Sequence, residues 1–141
     1  MSLFNVFNVS GSALNAETIR LNTTASNLAN AESVNGDATK IYRARHPVFQ
    51  TLMDTSNPFA GDQETSAGVR VLGVVESSAP PSMRYQPDNP VANKDGYVFT
   101  SNVNSIEEMT NMISANRSFA TNIDVINTAR DLLLKTISMG H

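Results

Sequence analysis

SIEEMTNMISANRSFATNIDVINTARDLLLKTIS, residues 105–138, contains neither glycine nor proline. Apolar residues recur in it at Ile106, Met109, Ile113, Ala120 and Ile123, and a neighbouring stripe holds Met112, Phe119, Ile126, Leu133 and Ile137. Spacings of three, four and seven place side chains on one face of an α-helix. Ser105, followed three residues later by Glu108, reads as a capping box with Ser105 as N-cap. The stretch therefore predicts a helix over 105–138, ended by Gly140 and about 50 Å long at 1.5 Å per residue. Leu132, Leu133 and Leu134 make its end apolar almost all round.

The opening of the chain has the same character. All six prolines lie between 47 and 90, and residues 1–35 hold a single glycine, Gly11. Phe7, Leu14, Leu21 and Leu28 fall seven apart, and Phe4, Gly11, Thr18 and Ala25 form an offset series that drops from Phe to small residues. Together they read as nearly four heptads of a and d positions, with one large seam and one small enough to admit another backbone. The spacing predicts a helix from Leu3 to about Ala31, roughly 40–45 Å long and stopped by Asn35-Gly36. Its charges are few (Glu17, Arg20 and Glu32), and asparagine fills much of the remainder. A helix facing water normally carries charge on its outer face, and Asn, Ser and Thr are mediocre helix formers. This arm is therefore expected to rest on several other helices. An isolated pair of such arms would leave apolar stripes in water, the kind of patch that marks an interface.

Between the arms the chain turns often. Val69–Val75 is β-branched and reads as a strand, and Tyr97–Thr100 after Asp95-Gly96 reads as another behind a hairpin-type turn. Lys40–Arg45 and Pro47–Phe49 are expected to be extended, and 54–68 to be a loop. The expectation is a mainly α chain with a small β segment. Its two long terminal helices pair as a coiled-coil-like hairpin around a central β-hairpin and loop region. The divisions are 1–35, 36–103 and 104–141.

Composition narrows the chemistry. The 141 residues carry a net charge of −3, which disfavours a surface built for phosphate backbones. There is no cysteine and only two histidines, His46 and His141, which excludes thiolate chemistry and argues against a histidine metal site. Charged residues are 16%, whereas Asn, Ser and Thr make up 43 positions. Such amides and hydroxyls cost less than charges to bury against other protein. No run is long enough to span a bilayer, and the N-terminus lacks the basic and apolar regions of a cleaved signal. Placing Gly96 at the sixth position of a calcium loop puts Val91 first and Asn102 twelfth, so that motif fails. Asp88, Asn93 and Asp95 are better read as turn residues. No cofactor, metal or catalytic set is expected.

Ser10-Gly11-Ser12-Ala13-Leu14-Asn15-Ala16, followed by Ala25-Ser26-Asn27-Leu28-Ala29-Asn30, resembles the N-terminal signature of the bacterial flagellar axial family of rod and hook subunits. Glu108-Met109 through Ser114-Ala115-Asn116-Arg117-Ser118-Phe119 to Asn122 looks like its C-terminal counterpart. Tyr85-Gln86-Pro87-Asp88-Asn89-Pro90-Val91-Ala92, leading into Asp95-Gly96-Tyr97-Val98, is similar to the proximal rod members, with Tyr85, Pro87, Pro90, Gly96 and Tyr97 as its core. Asn89 stands where that family usually has His, Ser101 where it often has Pro and Ser33 where it has Thr, changes compatible with turn and cap roles.

The resemblance implies a non-enzymatic structural subunit. It would leave through the flagellar type III export channel without a cleaved signal and polymerise helically in the periplasm to transmit torque. The implied partners are other rod proteins, further copies of the chain, the export apparatus and basal-body ring components, with no nucleic acid and no membrane span. The implied helix-packing and subunit-interface residues are Phe7, Leu14, Leu21, Asn27, Leu28 and Asn30 on the first arm. On the second they are Met109, Ile113, Arg117, Phe119, Asn122, Ile123, Ile126 and Leu133. Leu14, Leu21 and Leu28 would meet Met109, Ile113, Phe119, Ile123 and Ile126 within one subunit or across two. Low helix stability would suit a chain that travels unfolded through a narrow channel. The competing reading is a soluble helical-hairpin adaptor or chaperone module, which predicts a discrete oligomer and helices stable in isolation.

Overall fold

The computed structural model describes residues 3–53 and 67–139. Helix α1 (Leu3–Ala29) is followed by strands β1 (Val34–Asn35), β2 (Arg45–Met53), β3 (Ala67–Glu76), β4 (Ser82–Tyr85) and β5 (Tyr97–Thr100), and helix α2 (Ser105–Met139) closes the chain. The mainly α reading with a small β segment describes this architecture. Of the expected 54–68 loop, residues 54–66 lie outside the described part, and Ala67 and Gly68 already belong to β3. Gly140, the expected stop of α2, also lies outside it.

The two helices run antiparallel. The Arg20 guanidinium donates to the Asn111 carbonyl at 3.2 Å, and Arg20 and Thr24 share a cavity wall with Glu108 and Asn111. On α1 the covered positions Phe7, Ser10, Leu14, Glu17, Leu21, Thr24 and Leu28 repeat at alternating spacings of three and four. On α2 Glu108, Met112, Ala115, Phe119, Asn122, Ile126, Ala129 and Leu133 do the same. These are the seams expected of two helices packing along their length. A third phase of α1 faces outward: Asn8, Gly11, Asn15, Thr18, Asn22, Ala25 and Ala29 are all exposed.

Both helix ends differ from the sequence reading. The side-chain oxygen of Asn104 accepts from the Ile106 and Glu107 amides, at 3.1 and 3.5 Å. Asn104 is therefore the N-cap, and Ser105 is the first helical residue. The two caps are adjacent in sequence, and the route of the chain out of β5 selects the earlier one. Helix α1 ends at Ala29, well before Asn35-Gly36. The Asn30 amide reaches both Ser26 and Asn27 carbonyls at 3.2 Å, and Ala31 bonds Leu28 at 3.3 Å, the tightening typical of a last turn. Gly36 serves a different purpose, because a Cβ there would collide with the Val91 carbonyl.

The β segment is two separate pieces. β2 and β3 pair antiparallel from Arg45–Glu76 to Met53–Ala67, with a bulge between Val48 and Phe49. The pairing runs one step further through the Ser77 amide and Ala44 carbonyl, at 2.7 Å. Of the expected extended stretches, Pro47–Phe49 lies in β2, but Lys40–Ala44 precedes the strand. The second piece is a sheet in the order β1-β5-β4, antiparallel throughout, and neither β1 nor β4 was anticipated. Val98, in its central strand, is fully buried. Asp95-Gly96 lies in the turn that leads into β5, as expected. The Gly96 amide bonds the Asn93 carbonyl at 3.0 Å, Gly96 has φ +78°, and Asn93 Oδ1 accepts from the Asp95 and Tyr97 amides. In the turn after β1, the Thr39 amide and hydroxyl donate to Asp37 and hold its carboxyl below the usual carboxylate range.

Two pairs of substitutions test these assignments by urea unfolding. Asn104→Ala should cost about 1 kcal/mol and Ser105→Ala a few tenths at most, the reverse of what a Ser105 cap requires. Gly36→Ala should cost about 1–3 kcal/mol because backbone must shift to admit the methyl group. Gly11→Ala, in open space on a helix, should be neutral or gain up to about 1 kcal/mol.

Candidate assembly surface

The chemistry of this molecule lies in how its amides and apolar faces are placed. Asn27 is 1% exposed. Its Nδ2 donates to the Arg45 carbonyl at 2.8 Å, and its Oδ1 accepts from the Arg45 amide and the Tyr42 hydroxyl, both at 2.9 Å. One side chain thus satisfies both backbone groups of the first residue of β2. The network also fixes the amide orientation, since a flip would set acceptor against acceptor. Tyr42 OH lies 3.2 Å from Ser26 Oγ as well. At the other end of the hairpin, the Ser12 hydroxyl accepts from the Val69 amide at 3.1 Å and donates to the Val9 carbonyl at 2.8 Å.

The spacing of these two anchors is matched. Ser12 and Asn27 lie about 22 Å apart on a helix rising 1.5 Å per residue. Arg45 to Thr51, the partner of the Val69 that Ser12 holds, spans about 20 Å at 3.3 Å per residue. The hairpin therefore lies along α1, pinned at both ends. Asn102 makes a third link, donating to the Ala79 carbonyl at 2.9 Å and accepting from the Ala44 amide at 2.8 Å. These amide links were not foreseen at this level. The available signal was the excess of asparagine beside strand-forming segments.

The structure places the other singled-out residues as follows. Phe7, Leu14, Leu21 and Leu28 are half-buried in the α1 seam, and Phe119, Asn122, Ile126 and Leu133 in that of α2. Asn30, just past the end of α1, and Asn122, within α2, donate back to the Ser26 and Ser118 carbonyls at 2.8 and 2.9 Å. Met109, Ile113, Arg117 and Ile123 face away from α1 and are exposed. The seam itself is unusually polar. Glu108 is buried in it, and Glu17 Oε2 is shut off from solvent with no hydrogen-bond partner, its other oxygen lying 3.6 Å from Arg20. Tyr85 and Tyr97 meet edge to face at 5.2 Å. A Cβ on Gly96 would strike the Tyr85 ring and approach Pro87, while Pro90 sits exposed in the connecting turn.

Open clefts flank the start of α2, of about 570 and 500 Å³, and the larger is lined by no titratable residue. His46 is exposed, with Arg20, Arg45 and Glu108 as cavity neighbours rather than a ligand set. Among the described residues no group of three or more His, Asp and Glu could hold a metal ion, and no helix is long and apolar enough to cross a membrane.

Comparison with known proteins agrees with this reading of an assembling chain. Residues 7–36 match the family model described as flagella basal body rod protein, and residues 94–139 match that of the flagellar basal body rod FlgEFG protein C-terminal region. Over all 141 residues, and the full length of each relative, the chain is 45% identical to the flagellar basal-body rod protein FlgC of Salmonella typhimurium. It is 46% identical to that of Yersinia enterocolitica and 44% to that of Escherichia coli, again over full lengths. The matches are to rod proteins rather than adaptor or chaperone modules.

The clamp yields a sharp expectation. Asn27→Ala takes the partner from the Arg45 amide and carbonyl and from the Tyr42 hydroxyl, and should cost about 2–4 kcal/mol in urea unfolding. Asn27→Asp, nearly the same shape but without the donor to the Arg45 carbonyl, should also destabilise, whereas Asn122→Ala should cost under about 1 kcal/mol. With its full length shared with these relatives at 45–46% identity, the chain belongs to the FlgC family of flagellar basal-body rod proteins, structural subunits of the rod.

Proposed function

We propose that the chain is a subunit of the proximal rod that leaves through the flagellar type III export channel, polymerises helically in the periplasm and transmits torque. The observation that carries this reading is the exposure of apolar residues along α2, which a subunit working alone would leave in water. Its partners are further copies of itself, other rod proteins, the export apparatus and basal-body ring components. Phe7, Leu14, Leu21 and Leu28 with Phe119, Ile126 and Leu133 hold each subunit's helices together. Met109, Ile113, Arg117 and Ile123 meet neighbouring subunits. The block from Tyr85 to Tyr97 shapes the head that carries contacts above or below. Asn27, in this view, keeps the β2–β3 hairpin in fixed relation to the helices.

Electron microscopy of cell envelopes from a strain lacking this gene tests the proposal. Rod and hook should be missing, the membrane ring should remain, and a plasmid copy should restore assembly. Intact basal bodies in the deletion strain would sink it.

A further inference from the structure

The outward faces of the two helices have matching geometry. On α1 seven exposed positions run from Asn8 to Ala29 at spacings of three and four, without a charge. On α2 the stripe that begins Ile106, Met109, Ile113 continues to Asn127 with the same seven-position rhythm, also without a charge. Ile106, Met109 and Ile113 are 78%, 52% and 57% exposed. Each stripe covers 21 residue steps, about 32 Å of helix. One consists of glycine, alanine, threonine and asparagine, the other largely of isoleucine and methionine, so one offers holes and the other knobs. Both point away from the α1–α2 seam, so they cannot meet within one chain.

We propose that the outward stripe of α2 docks into the outward stripe of α1 on a second copy of the chain. This rests on the reading of the chain as a self-assembling rod subunit, and it adds which face meets which. Copies arranged around one axis keep their α1 helices parallel, so α2 of one copy runs antiparallel to α1 of the next. The register follows from the subunit itself, where Arg20 lies against Asn111. Carried across to the neighbour, the same register sets Ile106 opposite Ala25, Met109 opposite Asn22 and Ile113 opposite Thr18. Asn116 then meets Asn15, amide to amide, and Ala120 meets Gly11, where two backbones can approach most closely. No position falls out of step over the six layers. Such a contact uses different faces on the two partners, so it propagates around a ring or along a helix. Pairing of α2 stripes with each other would instead close a dimer and leave the α1 stripe in water.

The chain has no cysteine, which makes disulfide mapping direct. Thr18→Cys and Ile113→Cys would be introduced singly and together in cells assembling basal bodies, then oxidised, with Asn22→Cys and Met109→Cys as a second pair. The double variants should give ladders of cross-linked copies, and co-expressed single variants should give 18–113 and 22–109 heterodimers. Single variants alone should remain monomeric. Dimers through 113–113, or cross-links from position 113 only to a different rod protein, would overturn the assignment. Retention of the variants in purified basal bodies separates the two failures. A retained chain without the 18–113 link refutes this pairing alone, while a chain absent from basal bodies in its unmodified form refutes the rod reading beneath it.

Discussion

A buried carboxamide holds this subunit together. The side chain of Asn27 presents to β2 the same donor and acceptor that a neighbouring strand would present, and it does so from the side of a helix. Because the Arg45 amide and carbonyl both end on it, the chain leaving α1 must return to α1 before the hairpin can start. The placement of the hairpin, the position of the Tyr42 ring and the end of α1 follow from that return. Asn102 repeats the device between the head and the base of the hairpin, and Asn93 uses it to bind Tyr97. An amide suits the place of Asn27 because it pairs fully in the interior without the desolvation cost of a charge.

The apolar interior is correspondingly slight. Ala16, Ile41, Ala44, Val98, Ala115 and Ala129 are its buried apolar residues among those described, and four of the six are alanine. The leucines and phenylalanines of the seam are only half covered. Together with Glu17 and Glu108 inside that seam, this gives a helix pair whose association is weak on its own and improves with each further surface laid against it.

Much of this was readable in advance. The segregation of proline and glycine marked the two arms, and the heptad spacing of Phe7, Leu14, Leu21 and Leu28 marked the covered face of α1, because both signals are local and periodic. Gly11, Thr18 and Ala25, read as the companion positions of the same heptads, instead face outward, because Ser10, Glu17 and Thr24 complete the covered seam. The long β2–β3 hairpin was read only in fragments. Pro47, Gly68 and Gly73 interrupt its pattern, and α1 supplies the support that makes a two-stranded ribbon viable. β4 carries no alternation, since Ser82, Met83, Arg84 and Tyr85 are all exposed, so only its partner β5 reveals it. The cap shifted from Ser105 to Asn104 because both residues can cap and only the incoming chain distinguishes them. Asparagine was expected to bond neighbouring subunits. Asn27 and Asn102 show that part of this inventory is spent on bonds within the subunit, a distinction that depends on contacts distant in sequence.

The hairpin pinned to α1 at Ser12 and Asn27 makes the subunit a laminated beam. A ribbon and a helix lying side by side could slide past one another under load, and each alone would flex easily. Fastened at two points about 22 Å apart, they must lengthen or shorten together when the pair is bent, so stiffness rises well beyond the sum of the two layers. A load applied to the base of the hairpin at Arg45 is thereby delivered along half the length of the helix rather than at its tip.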